Sequence, residues 1–273
     1  MRKLSYPGRS NVLAQNGMVA TSNPLSSMVA INVLQKGGNA VDAAIAASAV
    51  QSVVCPSATG IGGDCFAIIS MNGKKPIAVN GSGIAPKRAN LQFYKDNKIK
   101  NIGLTSPHSV TIPGAVHAWC SMHEKFGRID FKEVLNGAEN FARKGFPVHE
   151  VEAIAWKENE KKLKKNSNSK RLFLNANHSY SYGEVFKNIP LANTLRIISK
   201  NKIKGFYQSE ITKDMVKTLN KLGGLHTEED FYNQKTLFSK TITNSYRNLK
   251  IHQCPLNSPG LVVLMMMAMT EKL

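Results

Sequence analysis

The chain has 273 residues, 36 Lys+Arg against 18 Asp+Glu, a formal net charge of +18 and 42% hydrophobic residues. That apolar content excludes a disordered or collagen-like chain, and the length suffices for one large or two small domains with a real core. No run approaches the ~18 consecutive apolar residues of a membrane helix, since the longest candidate, Ala40 to Val54, is broken by Asp42, Ser48, Gln51 and Ser52.

The first residues carry Arg2, Lys3 and Arg9 but place Pro7, Gly8 and Asn11 where a secretory signal needs an apolar stretch, so a cytoplasmic chain is expected. Cys55, Cys65, Cys120 and Cys254 are scattered without a Cys-x-x-Cys pair and read as free, mostly buried thiols. The surplus of positive charge lacks the clustering of a nucleic-acid groove. Its densest run, Lys157 to Arg171, is interleaved with Glu158, Glu160 and several Asn, which describes a solvated face.

In chain order, the first helix is expected over Ser22 to Lys36, with Ser22 as cap candidate, Pro24 in the first turn and a stop at Gly37-Gly38. Asn39 then caps a buried helix, Ala40 to Val54, small on nearly every face. The loop Pro56 to Asp64 feeds a strand, Cys65 to Ser70. Asn72-Gly73 is hairpin-turn chemistry, and Lys75 to Asn80 returns, ending in Gly81-Ser82-Gly83. After an extended Val110-Thr111-Ile112 and a Pro113-Gly114 break, a helix runs to Phe126 with Val116, Trp119 and Met122 inward.

Further helices are expected over Phe131 to Arg143, Glu150 to Lys164, Leu191 to Lys200, Glu210 to Leu222 and Glu228 to Asn233, the last capped by Thr227. Thr241 to Thr243 and Leu249 to Ile251 read as strands around Asn244 to Asn248. Leu261 to Met269 reads as a final apolar helix that nothing in the chain covers.

Composition and spacing alone suggest several sites and support none strongly. Gly60-x-Gly62-Gly63 follows a helix and precedes a strand, the reverse of a dinucleotide fingerprint, and reads as a tight turn near a binding site. His117, Cys120 and His123 fall at i, i+3 and i+6 of one helix, too spread to converge on one ion. Glu228-Glu229-Asp230 fits favourable charge in a first helical turn. No metal or cofactor is expected.

Three runs carry a resemblance: Gly17-Met18-Val19-Ala20-Thr21-Ser22, then Gly37-Gly38-Asn39-Ala40-Val41-Asp42-Ala43-Ala44, then Gly60-x-Gly62-Gly63-Asp64-x-Phe66. Together with Val110 to Gly114, Gly145-Phe146-Pro147-Val148, Gly205-Phe206-Tyr207, Gly223 to Phe231 and Pro255-x-x-Ser258-x-Gly260, they resemble the large-subunit landmarks of the γ-glutamyltranspeptidase family, in the same order. The resemblance runs from about Gly17 to Leu273.

It implies an α+β, N-terminal-nucleophile hydrolase: a four-layer αββα sandwich made as one precursor that cleaves itself into large and small subunits. The freed N-terminal threonine of the small subunit attacks a γ-glutamyl amide to form an acyl-enzyme. Residues 1–273 would then be a single incomplete domain, the large-subunit part, with no catalytic residue of its own. Its partners would be the small subunit or C-terminal half of the same precursor and a small-molecule amide, with no nucleic acid and no membrane.

The family's γ-glutamyl enzymes hold the substrate α-carboxylate with an arginine in an Asp-Phe-Arg-Glu-x-Ala-Pro-like segment. Here the segment is Asn80-Gly81-Ser82-Gly83-Ile84-Ala85-Pro86, which puts Ser82 at that position. Gly81, Ser82 and Gly83 are the candidate substrate-binding residues, with Gly60 to Gly63 expected close to their backbone. Lys87 and Arg88 come too late to replace the arginine and read as surface cations. The form is similar to a branch whose relatives include acylases and amidohydrolases, so a non-glutamyl amide is the alternative substrate and a non-catalytic binding protein the second alternative.

Overall fold

The computed structural model describes residues 11–271; the basic residues Arg2, Lys3 and Arg9 lie outside them. Helix α1 (Pro24–Gln35) is capped by Asn23, whose side chain accepts from Leu25 N–H at 2.9 Å. Ser22 is therefore not the cap. Pro24 occupies the first helical position, so the residue directly before it is left to cap.

Gly37, at φ 91°, turns the chain into α2 (Ala40–Val54), and only a residue without Cβ holds that angle at no cost. The start of α2 is a reciprocal capping box. Asn39 Oδ1 accepts from Val41 and Asp42 N–H, while Asp42 Oδ2 accepts from Asn39 N–H. Asp42 is fully buried and also accepts from Arg128 N–H, tying the helix start to the turn at Gly127-Arg128.

Strands β1 (Cys65–Ile69) and β2 (Ile77–Gly81) pair antiparallel, with Cys65 opposite Gly81. Asn72 and Gly73 both take positive φ, as a two-residue hairpin turn requires. The returning strand begins at Ile77 instead of Lys75, because Pro76 has no N–H to give the ladder. Gly81, expected in the loop, is the last residue of β2.

A short helix α3 (Leu91–Asp96) precedes α4 (Ala115–Phe126) and α5 (Phe131–Lys144). A two-residue strand β3 (Phe146–Pro147) pairs with β4 (Val185–Phe186), bracketing α6 (Glu150–Leu163) and α7 (Ser167–Phe173). Phe146, Trp156, Phe173 and Tyr180 gather around Phe186, with Trp156 and Tyr180 ring centroids at 4.9 and 5.0 Å. The basic run Lys157 to Arg171 lies on α6 and α7, its lysines mostly exposed.

Helix α8 (Ile189–Tyr207) is longer at both ends than Leu191 to Lys200, since Asn188 caps it from upstream and the chain resumes helix after a break at Lys202, φ 49°. Helices α9 (Glu210–Lys221) and α10 (Glu228–Tyr232) follow. Strand β5 (Leu237–Lys240), not anticipated, adds to the far edge of β2, making an antiparallel sheet ordered β1-β2-β5. Strands β6 (Ile242–Tyr246) and β7 (Leu249–Gln253) form a ribbon turned by Arg247 and Asn248, so Asn244 to Tyr246 belong to a strand instead of the connection. Helix α11 (Gly260–Thr270) packs on this ribbon.

The main core lies where α1, α2, α5 and α8 meet, with α4 between them and the three-stranded sheet. Ala46, Ala49, Val50, Val134, Leu135, Leu195 and Ile198 are fully buried there. The many alanines of α2 let its neighbours approach closely, as its composition predicts. Among the described residues no helix is long and apolar enough to cross a membrane.

Candidate functional site

The segment after β2 is held from four directions. Ser82 N–H donates to Asn80 Oδ1 at 2.9 Å, bending the chain out of the strand. Gly83 N–H donates to Asp64 Oδ1 at 3.0 Å. Gln234, 2% exposed, spans two backbone groups: its Nε2 donates to Ser82 O at 3.0 Å and its Oε1 accepts from Ile84 N–H at 3.3 Å. Asn257, from the Pro255 to Gly260 segment, meets Ser82 Oγ with its amide oxygen at 3.2 Å and nitrogen at 3.1 Å, and takes a hydrogen bond from Asn80 Nδ2 at 2.8 Å.

Gly83 and Gly114 are required by close approach. A Cβ at Gly83 would overlap the carbonyl oxygen of Ile112, and one at Gly114 the carbonyl oxygen of Gly81. The start of α4 thus lies directly against the end of β2. Gly114 and Ala115 both donate N–H to Gly63 O, at 3.0 and 2.9 Å, satisfying two of the donors every helix start leaves open.

Of the Gly60 to Asp64 loop, its last two residues make the link: Gly63 to α4 and Asp64 to Gly83. Gly60 and Gly62 have open space where a Cβ would stand. Gly63 N–H closes the turn on Gly60 O at 3.1 Å, which agrees with the tight-turn reading.

Tyr207 fixes α4 from behind. Its hydroxyl donates to Pro113 O at 2.7 Å and accepts from His117 N–H at 3.0 Å. Burial pushes the phenol well above its ordinary range, so it stays a protonated donor. His226, 1% exposed, bonds Val110 O through Nε2, and burial lowers its pKa, favouring the neutral ring.

Asp230 does more than charge a first turn. It closes a capping box with Thr227 and accepts from Lys87 N–H at 2.9 Å. Burial would raise its pKa, but the Lys87 and Thr227 donors outweigh this and hold the carboxyl below its usual value. Lys87 and Arg88 side chains are exposed, as expected.

His117, Cys120 and His123 do not converge. His117 Nδ1 meets Thr236 Oγ1 at 2.8 Å, and His123 Nε2 meets Ile129 O at 2.7 Å. Burial pushes the Cys120 thiol up to about 12 and that of Cys65 to about 11, which keeps both protonated at neutral pH. All four cysteines are free, and Cys55, Cys120 and Cys254 are buried.

Spacing does not single out Gln234 and Asn257, because each is a lone amide whose contacts to the Ser82 segment bridge more than 140 residues of sequence. Asn257 does fall within the Pro255-x-x-Ser258-x-Gly260 run that carried the resemblance. Three of those runs therefore meet at one place: the Asp64 loop, the Val110 to Gly114 turn and the Asn257 segment.

Comparison with known proteins agrees with this convergence. A family described as gamma-glutamyltranspeptidase matches residues 26–273. The glutathione hydrolase-like YwrD proenzyme of Bacillus subtilis (strain 168) is 30% identical over 263 residues, covering 96% of this chain and 50% of its own length. Among solved structures, the Helicobacter pylori gamma-glutamyltranspeptidase superposes with a TM-score of 0.86 at 30% identity, over 92% of this chain and 73% of that one. A cephalosporin acylase from Bacillus halodurans does so with a TM-score of 0.88 at 32% identity, over 95% and 50%.

The chain spans about half the length of the curated relatives it matches. It has the α+β, N-terminal-nucleophile-hydrolase-like fold of these proteins in its large-subunit part. With nearly the whole sequence matched and the shared motifs meeting around Ser82, the chain belongs to the γ-glutamyltranspeptidase family.

Proposed function

We propose that residues 1–273 are the large-subunit part of one domain, completed by a small subunit or by the C-terminal half of the same precursor, and that the completed enzyme cleaves an amide through an acyl-enzyme. The observation that carries this is the convergence of Asp64 and Asn257, from two separate family motifs, on the short Asn80 to Gly83 loop. The nucleophile would be a threonine outside this chain. Its hydroxyl attacks the amide carbonyl, its own amine takes the proton, the C–N bond breaks as the leaving amine gains a proton, and water or an acceptor amine then splits the ester.

Gly81, Ser82 and Gly83 form a wall on the acyl side in this reading. The N–H groups of Ser82 and Gly83 are already used by Asn80 and Asp64, so they do not serve as oxyanion donors. The Ser82 hydroxyl and the Asn257 amide, bonded to each other in an exposed contact, are the groups that would exchange this contact for an acyl chain.

A specific observation favours a second reading, an acylase or amidohydrolase acting on a non-glutamyl amide. The loop's side-chain partners are neutral amides and one carboxylate, Asp64, which would repel an anionic acyl group. The test is a comparison of kcat/KM for a γ-glutamyl anilide and an uncharged acyl anilide, using the full-length protein and its Ser82→Arg variant. If Ser82 stands where the family's γ-glutamyl enzymes place arginine, Ser82→Arg lowers KM for the γ-glutamyl substrate about tenfold, the scale of one charge-assisted hydrogen bond. An unchanged KM would remove Ser82 from the acyl pocket, and preference for the uncharged substrate would select the second reading.

A further inference from the structure

Away from the Ser82 loop, the end of α2 and the start of α6 bring three ligand-type side chains together. Cys55 Sγ lies 3.7 Å from His149 Nε2, and a Glu152 carboxylate oxygen completes a group whose atoms all lie within 4.8 Å of one another. Cys55 is 5% exposed and Glu152 2%, while His149 is half-buried. Helix ends produce this meeting: Cys55 is the residue closing α2, His149 the one opening α6, and Glu152 follows His149 at i+3, on the same face.

Two independent features of the cluster suit a cation. Among the described residues, no Lys or Arg stands within ion-pair distance of Glu152; its carboxylate is held by Ser57, whose hydroxyl donates at 2.7 Å and N–H at 3.4 Å. A buried carboxylate with no Lys or Arg beside it is costly, and a bound cation would offset that cost. In addition, the thiol and the carboxylate each have an outer donor that would orient them as ligands. Asn23 Nδ2 points at Cys55 Sγ at 3.4 Å, its orientation fixed because Oδ1 caps α1, and Ser57 holds Glu152.

The spacing also fits. Tetrahedral zinc, with Zn–S of about 2.3 Å and Zn–N of about 2.0 Å, sets sulfur and nitrogen about 3.5 Å apart, close to the 3.7 Å between Cys55 Sγ and His149 Nε2. The donor set of thiolate, imidazole and carboxylate matches zinc or cobalt far better than magnesium or calcium, which take oxygen ligands.

We infer that Cys55 Sγ, His149 Nε2 and the Glu152 carboxylate form a three-ligand site for a divalent cation of the zinc type, with water as the fourth ligand. The Cys55 S–H bond is broken on binding, the sulfur forms a bond to the metal and the proton leaves to solvent; no electron is transferred. The site stands at the root of the loop that reaches Ser82. Cys55 O accepts from Ala58 and Thr59 N–H at 3.0 and 3.1 Å, and Asp64 at the loop's other end holds Gly83. Metal occupancy therefore pins this loop to α6 and stiffens the strap behind the Ser82 wall.

The test is a titration of the purified full-length protein, stripped with a chelator, first with Co²⁺ and then with Zn²⁺. Saturable one-to-one Co²⁺ binding is expected, with a thiolate-to-cobalt charge-transfer band in the near ultraviolet that Zn²⁺ bleaches. Cys55→Ser abolishes the band, and His149→Gln, at a half-buried position that tolerates change, weakens binding at least about tenfold. Cys120→Ser leaves both intact. Absence of one-to-one binding, or binding that survives His149→Gln undiminished with the band unchanged in Cys55→Ser, overturns the assignment and leaves a thiol hydrogen-bonded to an imidazole.

Discussion

Helices α2 and α11 are the two most apolar helices of the chain, and they have opposite surroundings. α2 is covered by α1, α4 and α5, so that Val41, Asp42, Ala43, Ile45, Ala46, Ala47, Ala49 and Val50 are all buried. α11 packs mainly on the β6–β7 ribbon and buries only Gly260 and Leu264 of its own residues, while Leu261, Val262, Met265, Met266 and Met269 face outward. Their starts differ as well: α2 has a complete capping box, and α11 begins at Pro259 without a side-chain cap. Apolar composition sets what a helix would gain from burial, but the elements packed against it decide whether that gain is realised.

Three substitutions probe this contrast. The largest effect is expected from Asp42→Ala, which removes the reciprocal half of the capping box and strands Arg128 N–H, for a loss of about 2–3 kcal/mol in denaturant unfolding. A loss under about 1 kcal/mol would mean that water replaces the carboxylate and that the helix start is not the anchor described. Next, Ala46→Leu forces extra volume into a site with no exposure and should cost about 2 kcal/mol. Retained stability there would show that α2 has slack against its neighbours.

Met265→Lys on α11 should have the smallest effect, within about 0.5 kcal/mol in the 273-residue chain, because Met265 is exposed. The same change in a full-length protein sharpens the comparison. If the completing half covers α11, a buried lysine there destabilises the assembly by several-fold more than it does the chain alone. Equal effects in the two settings would leave α11 uncovered in both.

Local signals made much of the fold legible. Asn39 before an alanine-rich run, Gly37 at the turn, Asn72-Gly73 between strands and Thr227 before an acidic turn each specify conformation through bonds within a few residues, and each appears as its chemistry requires. Departures arose where a distant partner decides. β5 is a short, mostly exposed strand recognised by its pairing with β2, and β3–β4 is a two-residue pairing across an intervening pair of helices. The cap of α1 moved to Asn23 for a local reason, the proline at the first helical position.

The Ser82 neighbourhood divides in the same way. Its glycines and the motif runs holding Tyr207 and Asn257 can be read directly, whereas the contacts that Gln234, Tyr207 and Asn257 make cannot, because amide and phenol groups acquire their roles only from the groups that folding brings to them. The Cys55, His149 and Glu152 cluster was hidden for the same reason, since 94 residues separate the thiol from the imidazole.

The sequence by itself determined the helices and turns that rest on caps, glycines and apolar spacing, the apolar character of α2 and α11, and the motif order that marks the family. Only the tertiary structure decided which apolar helix is covered, which lone polar groups meet around Ser82, and that a cysteine closing one helix faces the histidine opening another. Local conformation follows from interactions within a turn or two of chain. Burial, pairing and convergent polar contacts depend on distances between residues far apart in sequence, and packing alone sets those distances.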